Sequence, residues 1–147
     1  MKKFLFIIYF LIVGYSSMAL TVKNINKNLV RVFKEIYPNA VQVSWREYPD
    51  TYAVYFSEEA VKVNIIFKKD GTFLSSTRYY KDEYLPYYLV AFIKEKYREK
   101  KIYSVTEISS PSNIDYYIKL EDEKNWMTVK LDSYGNMSVV EKFKKAP

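Results

Sequence analysis

The sequence predicts an α+β protein made of two tandem repeats. Each repeat has one helix plus four antiparallel strands, with the helices on one face of the sheet and the other face open. Three observations carry this expectation. Beyond residue 19 the chain has two glycines, Gly71 and Gly135, 64 residues apart in the matching contexts FKKDGTF and LDSYGNM. The same offset aligns Val54 with Ile118, Phe56 with Leu120, Val63 with Met127, Ile65 with Val129 and Phe67 with Leu131. Upstream, VFKEIYP (32–38) matches FIKEKYR (92–98) at an offset of 60. The second copy therefore gains about four residues, most simply at 109–113. Glycine in a hairpin turn supplies positive φ, so two glycines at equivalent turns carry physical weight.

The chain opens with the marks of an export leader. Met1-Lys2-Lys3 is basic, residues 4–13 (FLFIIYFLIV) are apolar, and Ser17 and Ala19 give a small-x-small pattern. Cleavage is expected after Ala19, leaving a domain at 20–147 with repeats at about 24–80 and 82–144. The alternative is an uncleaved anchor, but the apolar run falls short of the roughly 20 residues that cross a bilayer.

The first helix is read from Ile25, Leu29, Val32, Phe33 and Ile36, with Asn24 as N-cap and Pro38 as the stop. Strands follow at 40–47, 51–57, 60–68 and 72–80. Val61, Val63, Ile65 and Phe67 face one way, and Lys62, Asn64 and Lys68 the other. The second helix is read from Leu85, Leu89, Phe92, Ile93 and Tyr97, with Asp82 as N-cap and Pro86 in the first turn. Its charged tail (94–101, KEKYREKK) reads as a solvated face. Strands at 102–108, 114–121, 126–132 and 136–143 complete the second copy. Connections this short join antiparallel neighbours.

Composition removes many chemistries. The 147 residues are 49% hydrophobic and 27% charged, which suits a globular fold. They include 16 tyrosines but no Cys and no His. Thiolate catalysis, Cys/His zinc sites, a Ser-His-Asp triad, disulfides and lipidation at a cysteine all fall away. Loss of Lys2 and Lys3 with the leader lowers the formal charge from +6 to +4. That modest excess is no nucleic-acid signature, and export argues against such a partner. The acidic pairs Glu58-Glu59 and Asp82-Glu83, and the run 121–123, sit at expected turns or a helix start, where turn chemistry explains them. The run at 121–123 lacks EF-hand spacing. There is no phosphate loop or dinucleotide fingerprint. No cofactor, metal or catalytic residue is expected.

The leader, the YPNA at 37–40 that closes the first helix, the strand with Val43 and Trp45, the KKDG hairpin and the second opening at Leu85-Pro86 together resemble a known family. This is the secreted PepSY-like family of β-lactamase-inhibitor-like proteins. The resemblance covers nearly all of the mature chain. It implies a fold similar to β-lactamase inhibitor protein, tandem helix/antiparallel-sheet units whose sheets join into a curved surface, and transfers no catalytic residues; the inhibitor name reflects fold rather than activity.

By alternation the open face should carry Arg46, Tyr55, Ile66, Leu74, Arg78, Tyr117, Lys119, Trp126, Thr128 and Lys130. Trp, Tyr and Arg are enriched where interfaces bury anchors. Trp126 leads the set, because Met127, Val129 and Leu131 claim the core; the plainer reading is a cross-strand aromatic pair. The tyrosines at 79, 80, 84, 87 and 88 are read as packing between the copies. The expected function is that of an exported, non-enzymatic domain, periplasmic or secreted. It binds a protein or peptide, an envelope or secreted hydrolase being one version, through Trp126, Tyr117, Tyr55, Ile66, Arg46, Arg78, Lys119 and Lys130. No nucleic acid and, after leader removal, no membrane is expected as partner. The rival expectations are a small-ligand or glycan-binding protein and a structural envelope component.

Overall fold

The computed structural model describes residues 25–132 and 134–146. The expected leader (1–19) and the Asn24 cap lie outside the described residues. The order is α1 (Lys27–Ile36), β1 (Val41–Glu47), β2 (Thr51–Glu58), β3 (Val61–Lys68), β4 (Phe73–Tyr80), a 3₁₀ turn (Asp82–Tyr84), α2 (Tyr87–Lys96), β5 (Lys101–Ser109), β6 (Ile114–Glu121), β7 (Asn125–Asp132) and β8 (Met137–Lys144).

The expected fold class is corrected by the sheet. All eight strands form one antiparallel sheet in the order β1 to β8, and the two short helices are minor elements of a mostly β protein. The join is β4 with β5, paired from Ser76↔Ser109 to Tyr80↔Val105. That ladder satisfies the backbone groups that two separate sheets would have left at inner edges. One core results instead of two tandem units. Val54, Phe56 and Ile65 share it with Val105, Ile118, Leu120 and Val129. β1 and β8 are the two outer strands.

Local chemistry sets the ends of each element. Asn26 caps α1, its Oδ1 accepting from the N–H groups of Asn28 (3.0 Å) and Leu29 (3.4 Å). α1 buries Leu29 and Phe33, and α2 buries Leu89 and Ile93. Asp82 opens the 3₁₀ turn and not the helix, which starts after Pro86. Gly71 and Gly135 take φ +93° and +85° in the β3–β4 and β7–β8 turns. Asp132 supports the second turn, accepting from the N–H groups of Tyr134 and Asn136.

Pairing fixes the faces. Val54↔Ile65, Phe56↔Val63, Ile118↔Val129 and Leu120↔Met127 lie on the inner face with the buried helix residues. Their neighbours along each strand form the outer face. Ladder shifts interrupt β1 between Val41 and Ser44, β5 between Ile102 and Ser104, and the β3–β4 pair at Ile66/Phe67. Each extra residue changes which parity faces inward.

Candidate functional site

The outer face holds its densest cluster on β5 to β8. Trp126 sits opposite Glu121 on β6 and Phe143 on β8. The β5 irregularity brings Tyr103 to the same side, its ring edge-on to Trp126 at 4.8 Å. Lys119 Nζ lies 4.7 Å from the Trp126 ring centre and 5.9 Å from those of Tyr103 and Phe143. Lys145 Nζ approaches Trp126 at 4.5 Å while bonding Glu121 at 2.7 Å. An ammonium over an aromatic face gains about 0.5–1 kcal/mol when exposed, more when dry. The arrangement is an aromatic floor with two lysines held against it: apolar area for an anchor and positive charge for an acidic group.

Beside it, Tyr117 pairs with Lys130, whose ammonium is 5.7 Å from the tyrosine ring and 2.9 Å from Asp115. The Asp115 bond holds the Lys130 pKa above its ordinary value. Thr128 donates to Glu141 at 2.8 Å. A second outer cluster lies at the far end of the sheet. Arg46 stands over the Tyr55 ring at 5.1 Å. A hydrogen bond with Tyr48, then burial, raises the Tyr55 phenol above the usual range. Ile66 is half-buried between Ala53 and Ser75. Five strand spacings separate Tyr55 from Trp126, about 24 Å along a flat sheet. The expected set is thus two patches, with Tyr117, Lys119, Trp126 and Lys130 together and Arg46, Tyr55 and Ile66 apart.

Arg78 belongs to neither patch, which corrects its expected placement on the open face. It pairs with Val63 on β3 and Glu107 on β5, both inner-face positions. Arg78 Nη1 reaches both carboxylate oxygens of Glu107 at 3.3 Å, and the Tyr80 hydroxyl donates to Glu107 Oε2 at 2.5 Å. Glu107 is the one buried charged residue among those described, at 8% exposure. With the Ser109 hydroxyl donating to Oε1 at 3.5 Å, three donors meet the demand that a buried carboxylate be bonded. Burial, then the Glu107 bond, pushes the Tyr80 phenol far up; burial and the Glu107 charge raise Tyr116.

The tyrosine group is corrected as well. Tyr80 is buried and Tyr84 packs edge-on to it at 6.4 Å, but Tyr79, Tyr87 and Tyr88 are exposed, the last two at 86% and 66%. They pack between no elements. Among the described residues no group of three or more acidic side chains could hold a metal ion. Asp122 serves its turn, accepting from the N–H groups of Lys124 and Asn125 and from the Lys100 ammonium, which together hold its carboxyl well below the usual range.

Sequence reasoning missed Tyr103, Phe143, Lys145 and Glu107. Glu107 shares the parity of Val105 within β5, so its burial was available as a signal. Tyr103 depends on a ladder irregularity that alternation does not register.

Comparison with solved structures places this fold. A BLIP-like protein from Bacteroides fragilis superposes at a TM-score of 0.58 with 14% identity, covering 84% of this chain and 89% of that one. A DUF2874 family protein from Bacteroides ovatus gives 0.57 with 17% identity, over 82% and 88%. A protein from Bacteroides eggerthii, assigned provisionally to the periplasm, gives 0.56 with 13% identity, over 82% and 89%. The chain therefore has a BLIP-like fold. No family model and no curated protein matches the sequence.

Proposed function

We propose that this is an exported, non-enzymatic binding domain that takes a protein or peptide partner on the outer face around Trp126. The observation that carries the reading is the Trp126 cluster itself. A half-buried indole lies between two aromatic neighbours with Lys119 and Lys145 against it. This is the composition of an interface anchor, and the lysines favour an acidic partner segment. The leader expected at 1–19 and the provisional periplasmic assignment of the Bacteroides eggerthii structure support export. A secreted or envelope hydrolase is the partner class that the BLIP-like fold suggests by analogy.

The test is selection of binders from a displayed peptide library, followed by affinity measurement on Trp126→Ala and Lys119→Ala. Enrichment of acidic, aromatic-containing peptides that lose at least about tenfold in affinity on Trp126→Ala supports the reading. Binders indifferent to both substitutions, or Trp126 emission that responds to glycans and not to peptides, would overturn it.

A further inference from the structure

The helix-bearing face also holds a cavity, remote from the Trp126 cluster. It is lined from β3 and β4 and has a volume of about 330 Å³. That volume lies at the low end of small-molecule pockets, roughly 300–1,000 Å³. Val61 and Val63 give it apolar lining, and Tyr37 after α1 and Tyr84 of the 3₁₀ turn supply aromatic rings. Charges of both signs enter it from different elements: Arg78 from β4, and Glu58 and Glu59 from the end of β2 and the turn after it.

Both sets keep hydrogen-bonding capacity, although Arg78 is ion-paired with Glu107. Arg78 gives Glu107 only Nη1, so among the described residues Nη2 and Nε have no acceptor. The Nη2–Nε edge is the side of a guanidinium that holds a carboxylate with two parallel bonds. Glu107, fixed by Tyr80, holds the guanidinium from the opposite side, making it a positioning residue for that edge. Glu59 accepts from the Tyr84 hydroxyl at 3.2 Å, and neither Glu58 nor Glu59 forms an ion pair among the described residues. The ladders Glu58↔Val61 and Val63↔Arg78 set the spacing. Two strand spacings across and two residues along put the Glu58 and Arg78 Cα atoms about 12 Å apart. Both side chains line the same cavity, where one small molecule with opposite charges could meet both.

We propose that this cavity binds a small zwitterion of the amino-acid class. Its carboxylate sits on the free edge of Arg78, its ammonium on Glu58 and Glu59, and its hydrocarbon on Val61, Val63 and the tyrosine rings. A simple amine would leave the guanidinium edge unmet, and a simple carboxylate would face two acids without a counter-ion.

Calorimetric titration with three probes of one hydrocarbon tests each charge: L-leucine, isoamylamine without the carboxylate, and 4-methylpentanoate without the ammonium. L-leucine should bind with a Kd below about 1 mM, and each analogue at least about tenfold more weakly. Arg78→Lys, which keeps the charge facing Glu107 but removes the fork, and the double variant Glu58→Gln/Glu59→Gln should each lower L-leucine affinity about tenfold. Unchanged circular dichroism and unfolding midpoints in the glutamine variant separate this loss from misfolding. No heat from L-leucine up to about 10 mM, isoamylamine binding as tightly as L-leucine, or unchanged affinity in the glutamine variant would overturn the proposal.

Discussion

The two tryptophans of this chain are both half-buried strand residues, yet they serve opposite sides of one sheet. Trp45 on β1 points inward. Phe33 of α1 meets it edge-on at 5.4 Å and Phe67 lies at 6.4 Å, at the margin of the core. Trp126 on β7 points outward, with Tyr103 at 4.8 Å and two lysines against its ring. Exposure does not separate them; their neighbours do. An indole boxed in by one ring from a helix and one from a strand is structural. One faced by ammonium groups on an open sheet keeps a face that a partner can displace water from. Which role each has follows from pleat parity alone.

Substitution should separate the pair sharply. Trp45→Ala is expected to cost about 3 kcal/mol in chemical denaturation, for lost contacts and a residual cavity. Trp126→Ala should cost less than about 1 kcal/mol while removing most partner affinity. Equal losses of stability would make the outer cluster a structural brace and end the contrast.

Tyr80→Phe follows in size. Removing the donor to buried Glu107 should cost about 1–3 kcal/mol. It should also alter alkaline behaviour. The Tyr80 phenol has its folded-state pKa raised above the ordinary 10.0, so the unfolded chain releases that proton first. Its contribution is present below pH 10 and is lost as pH rises beyond it. Midpoints measured from pH 8 to 11 should fall for the native protein and fall less for Tyr80→Phe, with Tyr116 maintaining part of the slope.

Lys119→Met is a finer probe of the outer cluster. In a Trp45→Phe background, Trp126 is the sole indole. The substitution should shift its emission and cost about 0.5–1 kcal/mol, whereas Arg46→Met at the far patch should leave the emission unmoved. Of similar size, and the most uniform, should be Gly71→Ala and Gly135→Ala. Nothing lies within 4 Å of a Cβ added at either glycine, so only the positive φ is penalised. Each should lower stability by about 1 kcal/mol.

Much of this was legible in the residues. β2, β3, β6 and β7 carry long apolar alternations such as Val61, Val63, Ile65 and Phe67, and their faces follow from period two. The placements of Lys119, Trp126 and Lys130 come from the same pattern. β4 was not legible in this way. FLSSTRYY has no apolar alternation, and the irregularity opposite Phe67 turns Phe73 inward along with Ser76, Arg78 and Tyr80. Arg78 was misplaced for that reason, and the cavity it lines was missed with it. The union of the halves into one sheet came only from the family resemblance and not from the residues' own pattern. It depends on β4 pairing with β5 across a 3₁₀ turn and a helix, a contact no local pattern encodes. The outer side of α2 shows the same limit. Its pattern names Leu89 and Ile93 for burial but includes Phe92, which is exposed.

The β1-to-β8 strand order has a kinetic consequence. Each strand lies against the one made just before it, so the chain can zip forward hairpin by hairpin, and only the β4-to-β5 step must close a longer loop. Contacts this local place the molecule among the quicker-folding sheet proteins. The early hairpins can then form as the chain lengthens, before its last strand is made.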